Sequence, residues 1–540
     1  MKRLTSARVF LEKSFGAQFL VALFLVLVLK WNTLNQLPVW DTAMGLFPAA
    51  ITLADNGFDV VELLGMPGFF EGGPNTHSAS LVTLGTAVVL RFFGSGERAL
   101  IILHLLHFAM AALGLATLFR LARPVFGPAS TLLFCVSVLL FPVFSTQVGY
   151  LYLEIPLFLC TVSALLAWTE RRFWLAILWS TLAYATKETG LIVAATLVLA
   201  TLLERRTLSS KAKRAGLILV FPVLLAGMLA LPSLMTLLQS SNESNLLPPY
   251  ADVLARMAEY LGTFLFNVPD LLLFIVLFSV AAIAFGMPIF RTLRSEPSDP
   301  ETRDPARQER LILGYSGLLI IFFFLLFFVA LPVVVRFTIV LPRYYLVIVP
   351  FLLIWLGYST KRLLSARLTS PAAVCFVTLS AFFALNASGR FYPLDIDTEG
   401  ASGNNFSLTE RSNAYRRLLA LEVEATRFVD ELPDETPIYY GLYEHFLFRY
   451  PELGYTSGPL TNGHRLSPES LDALQRTEPF PPCVYVLYNY AWLGGEHVRE
   501  LLSYASRTDA LNSEIAREFR DGRYTIVLIR IRNGDENCPE

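Results

Sequence analysis

The chain has 540 residues, of which 16% are charged and 54% are apolar (AVILMFWYC), with a mean hydropathy of +0.53. A soluble globular chain carries about 25% charged and about 45–50% apolar residues, so this composition excludes an ordinary cytosolic enzyme and a disordered chain. The 43 basic and 44 acidic residues leave a net charge of −1, which offers no global field for nucleic acid.

Apolar runs near the roughly 20 residues that cross a bilayer recur through the first 386 positions. They predict about eleven spans: 15–33, 98–119, 128–147, 152–169, 173–189, 190–203, 215–237, 269–290, 311–333, 344–360 and 369–386. Lys2, Arg3, Arg8 and Lys13 precede the first, which lacks a small-residue cleavage site and so reads as a retained helix. Between the first two spans runs a long outer loop, 34–97. Its apolar stretches 42–54 and 78–93 read as interfacial helices, because counting the second as a span would invert every later loop. A further outer loop, 238–268, carries Leu254, Met257, Leu261 and Leu265 at helical spacing.

Basic residues fix the expected orientation. Arg120/Arg123, Arg171/Arg172, Arg205 to Arg214, Arg291 to Arg310 and Lys361/Arg362/Arg367 all fall on the side of the N-terminus. The N-terminus is therefore expected in the cytoplasm and the C-terminal part outside. Composition changes near 387: residues 387–540 hold 15 basic and 24 acidic residues, the bases all arginine. A membrane domain, 1–386, is thus expected to precede an extracytoplasmic domain, 387–540. The latter reads as α/β, with helix-like runs 412–431, 466–476 and 495–520 and strand-like runs 437–442, 483–488 and 524–532. It has no Gly-rich phosphate loop. Five scattered cysteines form neither a metal motif nor a disulfide framework.

The fold class expected is therefore an all-α polytopic membrane domain with interfacial helices in its first outer loop, plus a small C-terminal α/β domain. Charges at membrane depth are costly unless paired or hydrated, so each is a candidate. Asp41 follows the first span directly, where it either caps the next helix or faces a cavity mouth as a base. Glu154, in YLYLEIP at 150–156, is either a first-turn acid or part of a site. Lys187 and Glu188 break the apolar run 173–203, as a local ion pair or with the lysine as an anion holder. Arg343 and Tyr344 open a late span; the arginine either snorkels or clamps a phosphate. His77 opens the second outer helix, with Glu71 just before it. His104 and His107 share a helix face without an acidic partner at that depth, so packing contacts are expected there rather than a metal.

Read in order, these pieces resemble the membrane-embedded C-type glycosyltransferases, in the branch of protein O-mannosyltransferases, aminoarabinose transferases and bacterial lipid-linked-sugar transferases. The resemblance rests on Trp40-Asp41, the helix opened by His77 and closed by LRFFG at 90–94, RLARPVFG at 120–127, YLYLEIP at 150–156, ATKETG at 185–190 with Trp174 upstream, and PRYY at 342–345. It covers about residues 15–360. The resemblance implies a polyprenyl-phosphate sugar as donor, used on the outer side of a membrane. It implies Asp41 as general base, Glu154 as a second acid, and Lys187 toward the donor phosphate. It also places Arg343 with Tyr344 on the lipid-phosphate or sugar side, and Glu188, His77 and Tyr152 are further candidates for binding the substrate. Two departures from the family pattern are Thr42 after Asp41, where many relatives have a second acid, and His77-Ser78-Ala79 in place of His-Pro-Pro.

One monophosphate can be neutralised by two cations, so no cofactor and no divalent metal are expected. The expected partners are membrane lipid, a polyprenyl-phosphate-linked sugar and a glycan, lipid or protein acceptor. The expected location is a bacterial inner membrane, with the C-terminal domain in the periplasm. Two other readings stay open: a transporter or flippase, and a non-catalytic binder of lipid-linked saccharide.

Overall fold

The computed structural model describes residues 14–61, 80–204, 209–220, 285–286, 305–330, 342–363, 415–433, 436–476, 480–489, 496–508, 511–521 and 524–533. The predicted spans 369–386 and 269–290 (apart from 285–286), most of 215–237, the loop 238–268, His77, Glu71 and the domain boundary near 387 lie outside them.

Ser14 caps the first helix, accepting the Ala17 N–H at 3.2 Å. Helix α1 (Phe15–Lys30) turns one exposed stripe, Leu20, Phe24 and Val28, away from the bundle. A π-helical turn (Thr42–Leu46) leads into α2 (Phe47–Asp55), which packs on α3 (Leu81–Phe93). The two apolar stretches of the first outer loop are thus short paired helices. Helix α4 (Glu97–Phe126) has 30 residues. It continues through Arg120 and Arg123, which the sequence reading placed beyond the span, because leaving an apolar layer does not by itself stop a helix.

Next come α5 (Pro128–Leu140) and α6 (Pro142–Gly149), bent by 65° where α6 resumes. Pro142 excludes Phe141 from helical dihedrals, and Phe141 is extended at φ −61°, ψ 131°. The predicted span 128–147 is therefore broken. Helix α7 (Glu154–Thr169) is the centre of the bundle: every residue except Leu166 is buried. It packs on α4 and on α8 (Phe173–Thr186). Its approach to α4 is close enough that a Cβ on Gly114 would lie 2.5 Å from the Phe158 ring. Helix α9 (Leu191–Leu203) packs on α10 (Pro305–Phe324), which packs on α11 (Val349–Leu363). Among the described residues three segments are long and apolar enough to cross a membrane: Phe15–Thr33, Glu97–Phe126 and Ala306–Phe327. Helices α8 and α9, of 14 and 13 residues, rise only about 20 Å each and do not cross a core of about 30 Å.

The C-terminal part is α/β. Helix α12 (Tyr415–Asp430) is followed by β1 (Ile438–Tyr440), α13 (Leu442–Arg449), β2 (Gly463–Arg465) and α14 (Pro468–Arg476). Then come β3 (Cys483–Asn489), α15 (Glu496–Arg507), β4 (Leu511–Asp521) and β5 (Tyr524–Asn533). The sheet order is β2-β1-β3-β5-β4, with β1 parallel to β2 and β3, and β5 antiparallel to β3 and β4. Alternation decides the two faces. Tyr485, Leu487, Ile526 and Leu528 pack with Leu418, Leu421 and Phe448, whereas Val484, Val486, Val527 and Ile529 pack with Leu471, Leu474 and Leu501.

The sequence reading carried the last helix to 520. The structure ends it at Arg507 and makes 511–521 an edge strand. Leu511, Ile515 and Phe519 recur every fourth residue, a spacing that suits one helix face or one strand face equally. Pairing with β5 decides it, and an irregularity between Ile515 and Arg517 puts Leu511 and Phe519 in clusters on opposite faces of the sheet, while Ile515 is exposed. Helix α13 and strand β2 were absent from the sequence reading. Cys483 is disulfide-bonded, unlike the free, buried Cys135 and Cys160.

Glu444 on α13 is buried, and burial pushes its carboxyl from 4.5 up to about 7. A raised acid pKa means that the folded chain holds a proton the unfolded chain has lost. Stability therefore falls as pH rises from about 4.5 to about 7 and is flat above, by up to about 3 kcal/mol. Glu444→Gln is expected to flatten that slope in thermal unfolding recorded across pH 5–8.

Candidate active site

Asp41, Glu154, Lys187 and Arg343 come from four distant points of the chain and meet in one row of alternating charge. Lys187 Nζ donates to Glu154 Oε1 at 2.6 Å. Arg343 Nε lies 3.6 Å from the same oxygen, and its Nη2 donates to Asp41 Oδ2. The order is therefore Asp41, Arg343, Glu154, Lys187, with no net charge. The side chains of Arg343, Glu154 and Lys187 are 5%, 3% and 7% exposed, while that of Asp41 is 43% exposed. Isolated, each buried charge would cost several kcal/mol; paired in this row, they hold one another in place.

Local structure explains each position. Glu154 is the first residue of α7, so its carboxylate stands at that helix's N-terminal end, where the backbone dipole favours an anion. Lys187 has extended dihedrals, φ −157° and ψ 143°, which end α8 and throw its side chain sideways. Its N–H donates to Ala183 O at 3.1 Å, and the Gly190 N–H donates back to Lys187 O at 2.8 Å. A Cβ on Gly190 would lie 2.2 Å from Ala183 O. Gly190→Ala is therefore expected to force this break open at a cost of about 1–3 kcal/mol, read as a lower melting temperature of the full chain in detergent.

Arg343 and Tyr344 lie in a 3-10 turn (Pro342–Val347). Tyrosine faces cover the cations. Lys187 Nζ is 4.5 Å from the Tyr344 ring centre, and the Arg343 guanidinium is 4.7 Å from Tyr152 and 5.5 Å from Tyr344. Tyr152 donates to Val39 O at 3.4 Å and stacks on Tyr150, which lies against Trp40.

The structure gives each of these side chains its partner. Asp41 makes no side-chain capping bond to the turn that follows it; its carboxylate goes to Arg343. Lys187 pairs across to Glu154 rather than with its neighbour. Arg343 is buried and ion-paired rather than reaching outward. Glu188 is exposed on the first residue of a short 3-10 turn, beside the row and outside its ion pairs as described. His104 and His107 contact the carbonyls of Gln36 and Gln147 at 3.1 and 3.3 Å.

Two features had no sequence signal. Trp40 is left-handed, at φ +50°, next to Asp41; a bulky residue there costs of order 1–3 kcal/mol and persists only where its surroundings enforce it. The other feature is a contact from the C-terminal domain. The Tyr455 hydroxyl donates to Pro38 O at 2.8 Å, Tyr443 bonds the Trp40 backbone, and Arg416 donates to Asn32 O at 3.0 Å.

The fold and site thus describe a helical, multi-pass membrane chain with a small mixed sheet and a charged cluster at one end of its bundle. No family model matches the chain, and no curated protein matches it. Among solved structures, ArnT from Cupriavidus metallidurans bound to undecaprenyl phosphate is similar at 15% identity and a TM-score of 0.43, over 94% of this chain and 97% of that one. ArnT in the apo state is similar at 15% identity and a TM-score of 0.40, over 95% and 98%.

Proposed function

We propose that the chain is an integral membrane glycosyltransferase that moves a sugar from a polyprenyl-phosphate donor to an acceptor hydroxyl on the extracytoplasmic face. The observation that carries this reading is the row Asp41, Arg343, Glu154, Lys187. It presents two buried cations and one accessible carboxylate, the parts needed to hold a phosphate and take a proton. The donor phosphate engages Arg343 and Lys187, and Glu154 keeps both cations in place. Drawing Arg343 toward the phosphate releases Asp41 from its ion pair. Asp41 then takes the acceptor's hydroxyl proton as that oxygen attacks the anomeric carbon. The carbon–oxygen bond to phosphate breaks on the opposite face, giving inversion, and the lipid monophosphate leaves with the bonding electrons.

Phosphate is already a good leaving group, so the protein mainly positions reactants and offsets charge. Tyr344 and Tyr152 act on the substrate side by holding the Lys187 and Arg343 cations against their rings, and exposed Glu188 stands at the rim where sugar hydroxyls would arrive. His77 belongs to the same reading but lies outside the described residues. Neither a cofactor nor a divalent ion takes part. The disulfide at Cys483 suits an oxidising compartment and supports a periplasmic C-terminal domain on a bacterial inner membrane.

The test uses the purified full chain in nanodiscs with a panel of undecaprenyl-phosphate-linked sugars. It is joined to mass spectrometry of glycolipids and glycans from cells with and without the gene. The expected result is transfer with inverted configuration, and loss of one sugar unit in the deleted strain. Movement of the donor across the bilayer without transfer would overturn the reading in favour of a carrier.

A further inference from the structure

Asp41 sits in a turn closed by its own backbone, where the Thr42 and Ala43 N–H groups donate to Val39 O at 3.0 and 3.4 Å. Inside the membrane domain the segment before it is fixed by Tyr152 on Val39 O, and the turn after it by the Met44 N–H on Trp40 O at 2.8 Å. The peptide groups on either side of Val39 are gripped as well from the C-terminal domain. Tyr455 donates to Pro38 O at 2.8 Å, and Tyr443 bonds the Trp40 backbone. Both tyrosines are buried, at 0% and 4% exposure. The Tyr443 hydroxyl is anchored in turn on Glu422 Oε2 at 3.2 Å, and Asn489 Nδ2 reaches Glu422 Oε1 at 3.4 Å. Glu422 lies on α12 and Asn489 ends β3, so the anchor runs into the sheet. Leu447, Leu453, Trp40, Ala43 and Leu46 share one apolar cluster with the two tyrosines. Trp40 between these contacts keeps its left-handed backbone, a conformation that needs outside enforcement.

We infer that Tyr443 and Tyr455 are positioning residues for Asp41, which makes the C-terminal domain a working part of the membrane site. This rests on the proposed role of Asp41 as base. The hydroxyls bond Pro38 O and Glu422 rather than the row of ion pairs; they set the direction in which the Asp41 carboxylate leaves the turn. A displacement of about 1 Å at a reacting group costs up to about 100-fold in rate.

Two measurements on the full chain test this. The first is hydrogen exchange of the amides of 34–46; the second is kcat and KM on whichever undecaprenyl-phosphate-linked sugar the wild type turns over. Tyr455→Phe and Tyr443→Phe keep the rings and delete one hydroxyl each. They are expected to raise exchange across 34–46 and to lower kcat by about 10- to 100-fold, with the donor KM within about twofold. Leu474→Ala, on the opposite face of the sheet, is the control for general weakening. It is expected to lower the melting temperature while leaving exchange of 34–46 and kcat unchanged. Wild-type exchange and kcat in Tyr455→Phe would overturn the inference, as would an equal rise in exchange in Leu474→Ala. If the wild type transfers no sugar, the function proposed above falls, and the exchange result alone decides whether the domain holds the turn.

Discussion

Lys187→Met is expected to cost about 3–5 kcal/mol of stability and to abolish activity. The loss is large because the substitution takes the 2.6 Å bond from Glu154, whose side chain is 3% exposed, and leaves it the looser Arg343 contact at 3.6 Å. Removing one member of a buried pair leaves the other charge poorly compensated, which is worse than removing both. The double variant Lys187→Met with Glu154→Gln is therefore expected to recover most of the lost stability and none of the activity. Thermal unfolding of the four corners of that cycle in detergent gives the coupling between the two residues. Additive losses would show that the pair contributes little, and that the row of charges is not what holds this end of the bundle together.

Asp41→Asn is expected to show the opposite pattern. Its side chain is 43% exposed, and its partner Arg343 keeps Glu154 at 3.6 Å. Stability is expected to change by about 1 kcal/mol at most. Transfer is expected to fall by about 100- to 10,000-fold, the usual scale for a lost general base. Binding of undecaprenyl phosphate, assigned above to Lys187 and Arg343 as part of the proposed function, is expected to persist. Retained transfer in Asp41→Asn, measured on the nanodisc-bound protein, would remove the residue from the chemistry and require a different base for the acceptor proton.

The candidate site was legible in outline because charge in an apolar run is conspicuous. Asp41, Glu154, Lys187 and Arg343 each interrupt or end such a run, and the expected topology put them at the outer face. Their pairing was not legible. Sequence neighbours suggested Lys187 with Glu188, whereas the backbone break at Lys187 sends its ammonium across to α7. The capping role for Asp41 was equally natural on local grounds and lost to a partner 302 positions away. In the C-terminal domain, β3 and β5 were visible as apolar β-branched and aromatic runs. Strand β4 was not, because its four-residue spacing fits either structure and only the pairing with β5 decides. Tyr443 and Tyr455 gave no signal, since a tyrosine that docks between domains looks like any core tyrosine until its hydroxyl finds Pro38 or Trp40.

Helices α8 and α9 each rise about 20 Å, against a hydrocarbon thickness of about 30 Å, and they meet at Lys187. Trp174, Leu175 and Leu178 on α8 and Leu202 on α9 are exposed apolar side chains that face outward from the bundle. Lipid packed against a stretch this short would have to thin or dimple to match it. The headgroup plane would then lie lower beside α8 and α9, toward the level of the lysine. A phosphate carried on a long isoprenoid tail would then meet Lys187 and Arg343 by sliding sideways within its own leaflet, and the tail would never have to leave the oil.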